Sequence, residues 1–124
     1  MSDRAVDIAC LCAAWCRLCD EYAPVLGQVV SELAVAHGGL RLHWIDIEDE
    51  AELVGEFDVE TFPTIVVIDS DEVRFAGPLT PQPDTLRRLL RATVIDARSG
   101  VGWPAVAPEV RAFAERLRDR VRSA

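Results

Sequence analysis

No apolar run in this chain approaches the ~20 residues that a bilayer-spanning helix needs, so no membrane partner is expected. The N-terminus, Met1-Ser2-Asp3-Arg4, does not lead a basic stretch into an apolar one, and no secretory signal is expected. Both absences point to the cytoplasm, where thiols are kept reduced and disulfides tend to be transient and catalytic. Lysine is missing altogether: the 13 basic residues are all arginine. Residues 1–80 hold 4 arginines against 16 acidic residues, and residues 81–124 hold 9 against 5. With a net charge of −8 and an acidic body, the chain lacks the footprint of a nucleic-acid binder. Its basic C-terminal third has three uses open to it: docking on the acidic body, docking on an acidic partner, or forming a solvated helix face. There is no internal repeat and no low-complexity segment.

What is present suits one ordinary soluble domain: 124 residues, 50% hydrophobic and 27% charged, enough for a core without staples. Val6 to Ala14 is a short apolar run, expected as a buried strand. Leu18, Tyr22, Val25, Leu26, Val29, Val30, Leu33 and Ala34 then follow a 3.6-residue period, a helix with Pro24 inside it as a kink. His37-Gly38-Gly39 gives a glycine C-cap signal. Leu40 to Ile47 alternates as a strand does. Asp49 with Glu52 predicts a capping box and a short helix to about Phe57. Thr64 to Ile68 is a β-branched central strand, Asp69-Ser70-Asp71 a turn, and Glu72 to Ala76 a partner strand. The loop Gly77 to Pro83 leads to a helix with Leu86, Leu89, Leu90, Val94 and Ala97 on one face. After Ser99-Gly100 and a proline-containing linker, Val110, Phe113, Ala114, Leu117 and Val121 mark a last amphipathic helix that starts at Pro108. The order β-α-β-α-β-β-α, plus that helix, predicts a three-layer α/β fold.

The four cysteines all fall within residues 10–19. Cys16 and Cys19 are three apart at a strand-to-helix junction. There the first thiol meets unpaired backbone N–H groups and the positive end of the helix dipole, which favour its anion. The second lies one turn inside. Thiol–disulfide exchange needs this pairing: a thiolate to attack and a second thiol to resolve the mixed disulfide. Cys10 and Cys12 share a face of the preceding strand. They are read either as small hydrophobes or as auxiliary thiols able to exchange with Cys19. No second pair has zinc-knuckle spacing, and His37 and His43 lie far along the chain, so no metal is expected. Asp46, Glu48, Asp49, Glu50 and Glu52 are read as a solvated helix start.

With Ala14-Trp15-Cys16-x-x-Cys19, Ala23-Pro24, Phe62-Pro63-Thr64 and Gly77 in matching element order from about Val6 to Ala97, the chain resembles the thioredoxin family. The resemblance implies a central mixed four-stranded sheet flanked by helices. The family's N-terminal strand and helix are expected to be missing, and a C-terminal helix added. Residues 1–98 would form the domain, with 99–124 as linker and helix packing on it. It implies a cis Pro63, with Phe62 and Pro63 holding an extended substrate segment. Gly77 would leave room for substrate backbone, and Trp15, Arg17 and Leu18 would shape the site.

The implied activity is that of a disulfide reductase or oxidoreductase. Cys16 attacks and Cys19 resolves, with no cofactor beyond their reversible disulfide. Protein disulfides are the substrates, and a thioredoxin-reductase-type or other dithiol is the electron donor. The implied state is a monomer or weak dimer. There are departures from the family pattern. Its buried acid falls on Cys10, the aromatic two residues later on Cys12, its lysine on Trp44, and its Gly-Pro spacer on Arg17-Leu18. The loss of the acid predicts slower turnover. The second reading is a thioredoxin-fold interaction or redox-regulatory module with little general reductase activity. A glutaredoxin-like role is third, because Ala13-Ala14-Trp15 lacks the basic residue that family usually has before its cysteines.

Overall fold

The structure, a computed structural model, describes residues 5–70, 72–80, 82–95 and 105–123. Strand β1 (Val6–Cys12) is buried along its whole length, because it lies between β2 (Leu40–Asp46), which is parallel to it, and β3 (Thr64–Asp69), which is antiparallel. β4 (Glu72–Pro78) pairs antiparallel with β3 and completes the order β2-β1-β3-β4. This is the mixed four-stranded sheet that the sequence predicts. β4 runs further than the alternation suggested: Gly77 and Pro78 pair with Ile65 and Thr64, so the strand does not end at Ala76.

Helix α1 (Arg17–Leu33) and helix α3 (Pro83–Leu90) cover one face. There Val6, Ile8, Cys10 and Cys12 pack with Tyr22, Leu26, Leu86 and Leu90. α1 continues through Pro24. It ends at Leu33 with Ala34 still in right-handed helical geometry, and Gly38 and Gly39 are not in the left-handed region that a glycine cap would use. The chain leaves through successive turns closed on Glu32 and Leu33 carbonyls, which replaces the expected cap. Beyond α3, residues Arg91–Ile95 widen into a π-helical turn. Thr93 Oγ1 donates to Leu89 O at 2.8 Å, and Arg74 donates to Thr93 O at 2.6 Å.

The other face is covered by α2 (Ala51–Val54) and α4 (Pro108–Ser123), which bury Leu53, Val54, Val110, Phe113 and Leu117 against Ala9, Leu11, Val66 and Ile68. Each such side chain withdrawn from water is worth roughly 1.5–3 kcal/mol. α2 is only four residues long and has no side-chain cap, so the capping box at Asp49 does not form. Asp46 takes the N–H groups of Glu48 and Asp49 at 2.8 and 3.1 Å instead, a local turn that competes with helix. Gly55 follows at φ +60°, where an added Cβ would clash with the Arg116 guanidinium. Arg116 needs that space because it caps α2, donating to the Leu53 and Val54 carbonyls.

The basic C-terminal third therefore docks on the acidic body. Besides Arg116, Arg118 reaches Asp7 and Arg120 reaches Glu50. α4 lies on the sheet's face and not along the β2 edge, where Leu42 and Trp44 stay exposed. Asp71, Ala97, Ser99-Gly100, most of the linker and the 98/99 boundary lie outside the described residues, as do residues 1–4. Among the described residues no helix is long and apolar enough to cross a membrane.

Candidate functional site

β1 delivers the chain to a tight turn closed by Cys16 N–H on Ala13 O at 3.0 Å. The turn leaves Cys16 in extended geometry as the N-cap of α1, and its Sγ accepts the backbone N–H of Cys19 at 3.4 Å. A sulfur thus occupies the position where a capping oxygen usually satisfies an orphan helix N–H. Helix dipole and donor both act on that atom. Cys16 is 8% exposed and Cys19 1% exposed, so the first thiol touches the surface and the second lies behind it. Burial first, and then the neighbouring Cys12 and Cys16 thiols, push the Cys19 thiol well up from its ordinary value, so it is held protonated.

Trp15 is 68% exposed and meets the ring of Phe62 edge-on, with centroids 5.4 Å apart. The Phe62–Pro63 bond is cis. Leu18, Thr61, Phe62, Pro63, Pro78 and Leu79 line a mostly apolar groove of about 320 Å³ beside the dithiol turn. Arg17 is exposed on the first turn of α1. Gly77 lies in β4 at the end of the sheet that carries Pro63. A Cβ there would meet only the Phe75 ring, at an ordinary 3.5 Å, so the chain's own packing does not demand glycine.

The family model for thioredoxin matches residues 4–90. The chain is 31% identical over 72 residues to the thioredoxin of Bacillus subtilis, covering 58% of this chain and 66% of that protein. It is 36% identical over 53 residues to a protein disulfide-isomerase of Gallus gallus, covering 43% of this chain but only 10% of that much longer protein. Among solved structures, a mutant thioredoxin from Halobacterium salinarum superposes with a TM-score of 0.62 at 22% identity, over 75% of this chain and 78% of that one. The chain belongs to the thioredoxin family. Families of this kind carry thiol–disulfide oxidoreductases, and the two curated relatives bear such names.

This thioredoxin-family chain has an unusual floor beneath its C-x-x-C. Cys10 and Cys12 point to the α1 face, fully or nearly fully buried, with their Sγ atoms 3.3 Å apart. Cys12 and Cys19 belong to the same buried cluster as Cys10 and Cys16. The hydrogen bond with Cys10 and then burial push the Cys12 thiol far up. Tyr22 shares this cluster, fully buried, and its hydroxyl has no hydrogen-bond partner among the described residues. Burial, then Cys10 and Cys12, raise its pKa as well. An unsatisfied buried hydroxyl costs about 1–3 kcal/mol. Tyr22→Phe is therefore expected to raise the urea unfolding midpoint, by the equivalent of up to about 1 kcal/mol. A drop in that midpoint would mean that the hydroxyl has a partner after all.

The acidic residues Glu48, Asp49, Glu50 and Glu52 do gather, around an open surface hollow of about 600 Å³ that Arg120 also lines. The hollow is lined by the turn before α2, by α2 and by Arg120 of α4, and includes no thiol. The sequence reading missed Asp7. It is buried within β1 on the α4 face, and it accepts from Arg41 at 2.9 and 3.1 Å, from His43 Nε2 at 2.8 Å and from Arg118 at 2.8 Å. An aspartate inside an otherwise apolar strand was the available signal, since a buried charge requires partners. Those partners come from β2 and from the far end of the chain.

Proposed function

We propose that this chain is a thiol–disulfide oxidoreductase that works chiefly as a disulfide reductase. The observation that carries this reading is Cys16 Sγ at the N-cap of α1, with Cys19 buried one turn behind it. Cys16 attacks a sulfur of a protein disulfide as the thiolate, one substrate sulfur leaves, and a mixed disulfide forms. Cys19 then attacks Cys16 Sγ, loses its proton, releases the reduced substrate and closes the Cys16–Cys19 bond. A reductase-type or other dithiol donor restores the two thiols. The groove between Leu18, Phe62, Pro63 and Leu79 takes an extended substrate segment by strand addition beside Pro63. Trp15 and Arg17 flank it, and Gly77 keeps the adjoining backbone open. Nucleic acid and membrane have no part in this reading, which places the protein in the cytoplasm as a monomer or weak dimer.

Cys19 is held as a thiol, and Cys10 stands where the family has its buried acid, so that carboxylate is not there to take the Cys19 proton. Resolution is then the slow step, and general reductase activity is weaker than that of an ordinary thioredoxin. The test is Cys19→Ser incubated with a protein disulfide. A covalent adduct should accumulate, be reversed by dithiothreitol, and map to Cys16. If the adduct maps to another cysteine, or none forms while the wild type also fails to reduce the substrate, the reading is wrong.

A further inference from the structure

Four thiols share one buried cluster beneath the helix start: Cys16 at the cap, Cys19 one turn behind it, and Cys12 and Cys10 on the α1 face of β1, 3.3 Å apart. The exchange described above uses two of them. We propose that Cys12 is an inner acceptor for the active-site disulfide, so that the oxidised chain interconverts between a Cys16–Cys19 bond and a buried Cys12–Cys19 bond. The proposal rests on the exchange chemistry assigned to Cys16 and Cys19.

The step is an isomerisation. Cys12 gives up its proton and attacks Cys19 Sγ, the Cys16–Cys19 bond breaks, the Cys12–Cys19 bond forms, and Cys16 leaves as a thiolate. One disulfide is present before and after, so no outside oxidant or reductant takes part. The proton that Cys12 loses ends on Cys16 or in solvent. The inward path stops at Cys12 for a geometric reason. Residues two apart on a strand have Cα atoms about 6.6–6.8 Å apart, the outer limit of what a disulfide spans. β1 cannot shorten to help, because it is pinned by β2 and β3 on both sides. Cys10 therefore acts as a positioning residue, its thiol contact holding the Cys12 side chain. The consequence is an oxidised protein that still presents a free Cys16 thiol beside its substrate groove. Because Cys12 is buried and hydrogen-bonded, it ionises rarely, and the inward step is slower than exchange at the surface.

The sequence offers a convenient readout. Trypsin cuts after Arg4, Arg17 and Arg41, which places Cys10, Cys12 and Cys16 on peptide 5–17 and Cys19 on peptide 18–41. Every disulfide to Cys19 then joins two peptides, and fragmentation names its partner. The full reduced chain is oxidised with one equivalent of diamide, quenched in acid, blocked with N-ethylmaleimide, digested and mapped. In the wild type, Cys12–Cys19 is expected beside Cys16–Cys19, at about a tenth or more of the Cys19 linked. In Cys16→Ser it becomes the main disulfide. A second measurement needs no variant: brief native alkylation of the one-disulfide wild type should label Cys16 in the fraction that carries Cys12–Cys19. If the wild type shows Cys16–Cys19 but Cys12 is wholly maleimide-labelled, the inner step is overturned and the surface dithiol stands. If the wild type has no disulfide to Cys19 at all, the dithiol reading itself falls.

Discussion

Cys16→Ser should lower the reduction of a protein disulfide on the order of a thousandfold or more, the scale on which removal of an attacking nucleophile acts. Serine fits the N-cap as well as cysteine does, or better, so helix α1 keeps its start and the fold should survive. What is lost is the sulfur that the helix N-terminus polarises. A hydroxyl at the same place has neither the acidity nor the sulfur chemistry to enter a disulfide. The loss therefore separates the cap's structural role from its chemical one. Thiol release from a model protein disulfide, under dithiothreitol, would be compared at matched far-UV circular dichroism. If Cys16→Ser keeps more than a tenth of wild-type turnover with an intact spectrum, Cys16 does not carry the reaction. The chain would then be better read as a binding module of the same fold.

Asp7→Ala should cost about 3–5 kcal/mol, the penalty for breaking a buried ion pair from one side. Against a usual domain stability of about 5–15 kcal/mol, that leaves a marginal protein. The change strips three cationic or donor groups of one shared acceptor: Arg41, His43 and Arg118. Arg118 is the more deeply placed of the two arginines, so its charge suffers most. The change also loosens α4, because Arg118 ties that helix to β1. Burial pushes the Asp7 carboxyl upward, but the hydrogen bonds from His43, Arg41 and Arg118 outweigh it and lower the pKa from 3.8 to about 2. A folded value below the unfolded one means that the stabilisation is complete above about pH 4 and drains as the pH falls toward 2. The amount at stake in that window is about 2 kcal/mol, at 1.36 kcal/mol per pKa unit. Urea titrations at pH 7 and at pH 2.5 measure both effects. A mutant midpoint equal to the wild type at pH 7 would show that the cluster adds nothing.

Local patterns in the chain reveal most of the scaffold. The β1 apolar run, the 3.6-residue spacing from Leu18 to Leu33, the β-branched run at Thr64 and the stripe from Val110 to Leu117 each encode one element, and each is present. The C-x-x-C spacing at a strand end is equally local, which is why Cys16 could be placed at a helix start from the chain alone. The structure departs from the local pattern where one residue has two competing uses. Asp49 could cap a helix, but Asp46 captured its N–H first. Gly38 and Gly39 could end a helix, but the Leu33 carbonyl was satisfied through turns that need no glycine. Gly77 looked like a loop residue, yet pairing with Ile65 carries the strand past it. Asp7 was illegible for a different reason. Its partners Arg41, His43 and Arg118 are chosen by sheet register and by how α4 lies on the face, neither of which any short window contains. The Cys10–Cys12 contact was half legible: alternation puts both on one face, but only the packing of α1 brings Cys19 against them.

The tie between Asp7 and Arg118 spans 111 positions, and that distance is also an interval of time. A ribosome adding about 5–20 residues per second needs on the order of ten seconds to make the second partner after the first. Through that interval β1 carries a carboxylate destined for burial with nothing to neutralise it from α4, and the face that α4 will cover lacks Phe113 and Leu117. Among the described residues the dithiol face draws on none beyond 95, so its described part can assemble while the opposite face is still open to water. During synthesis, then, the face that bears the thiols is made before the helix that covers the other face.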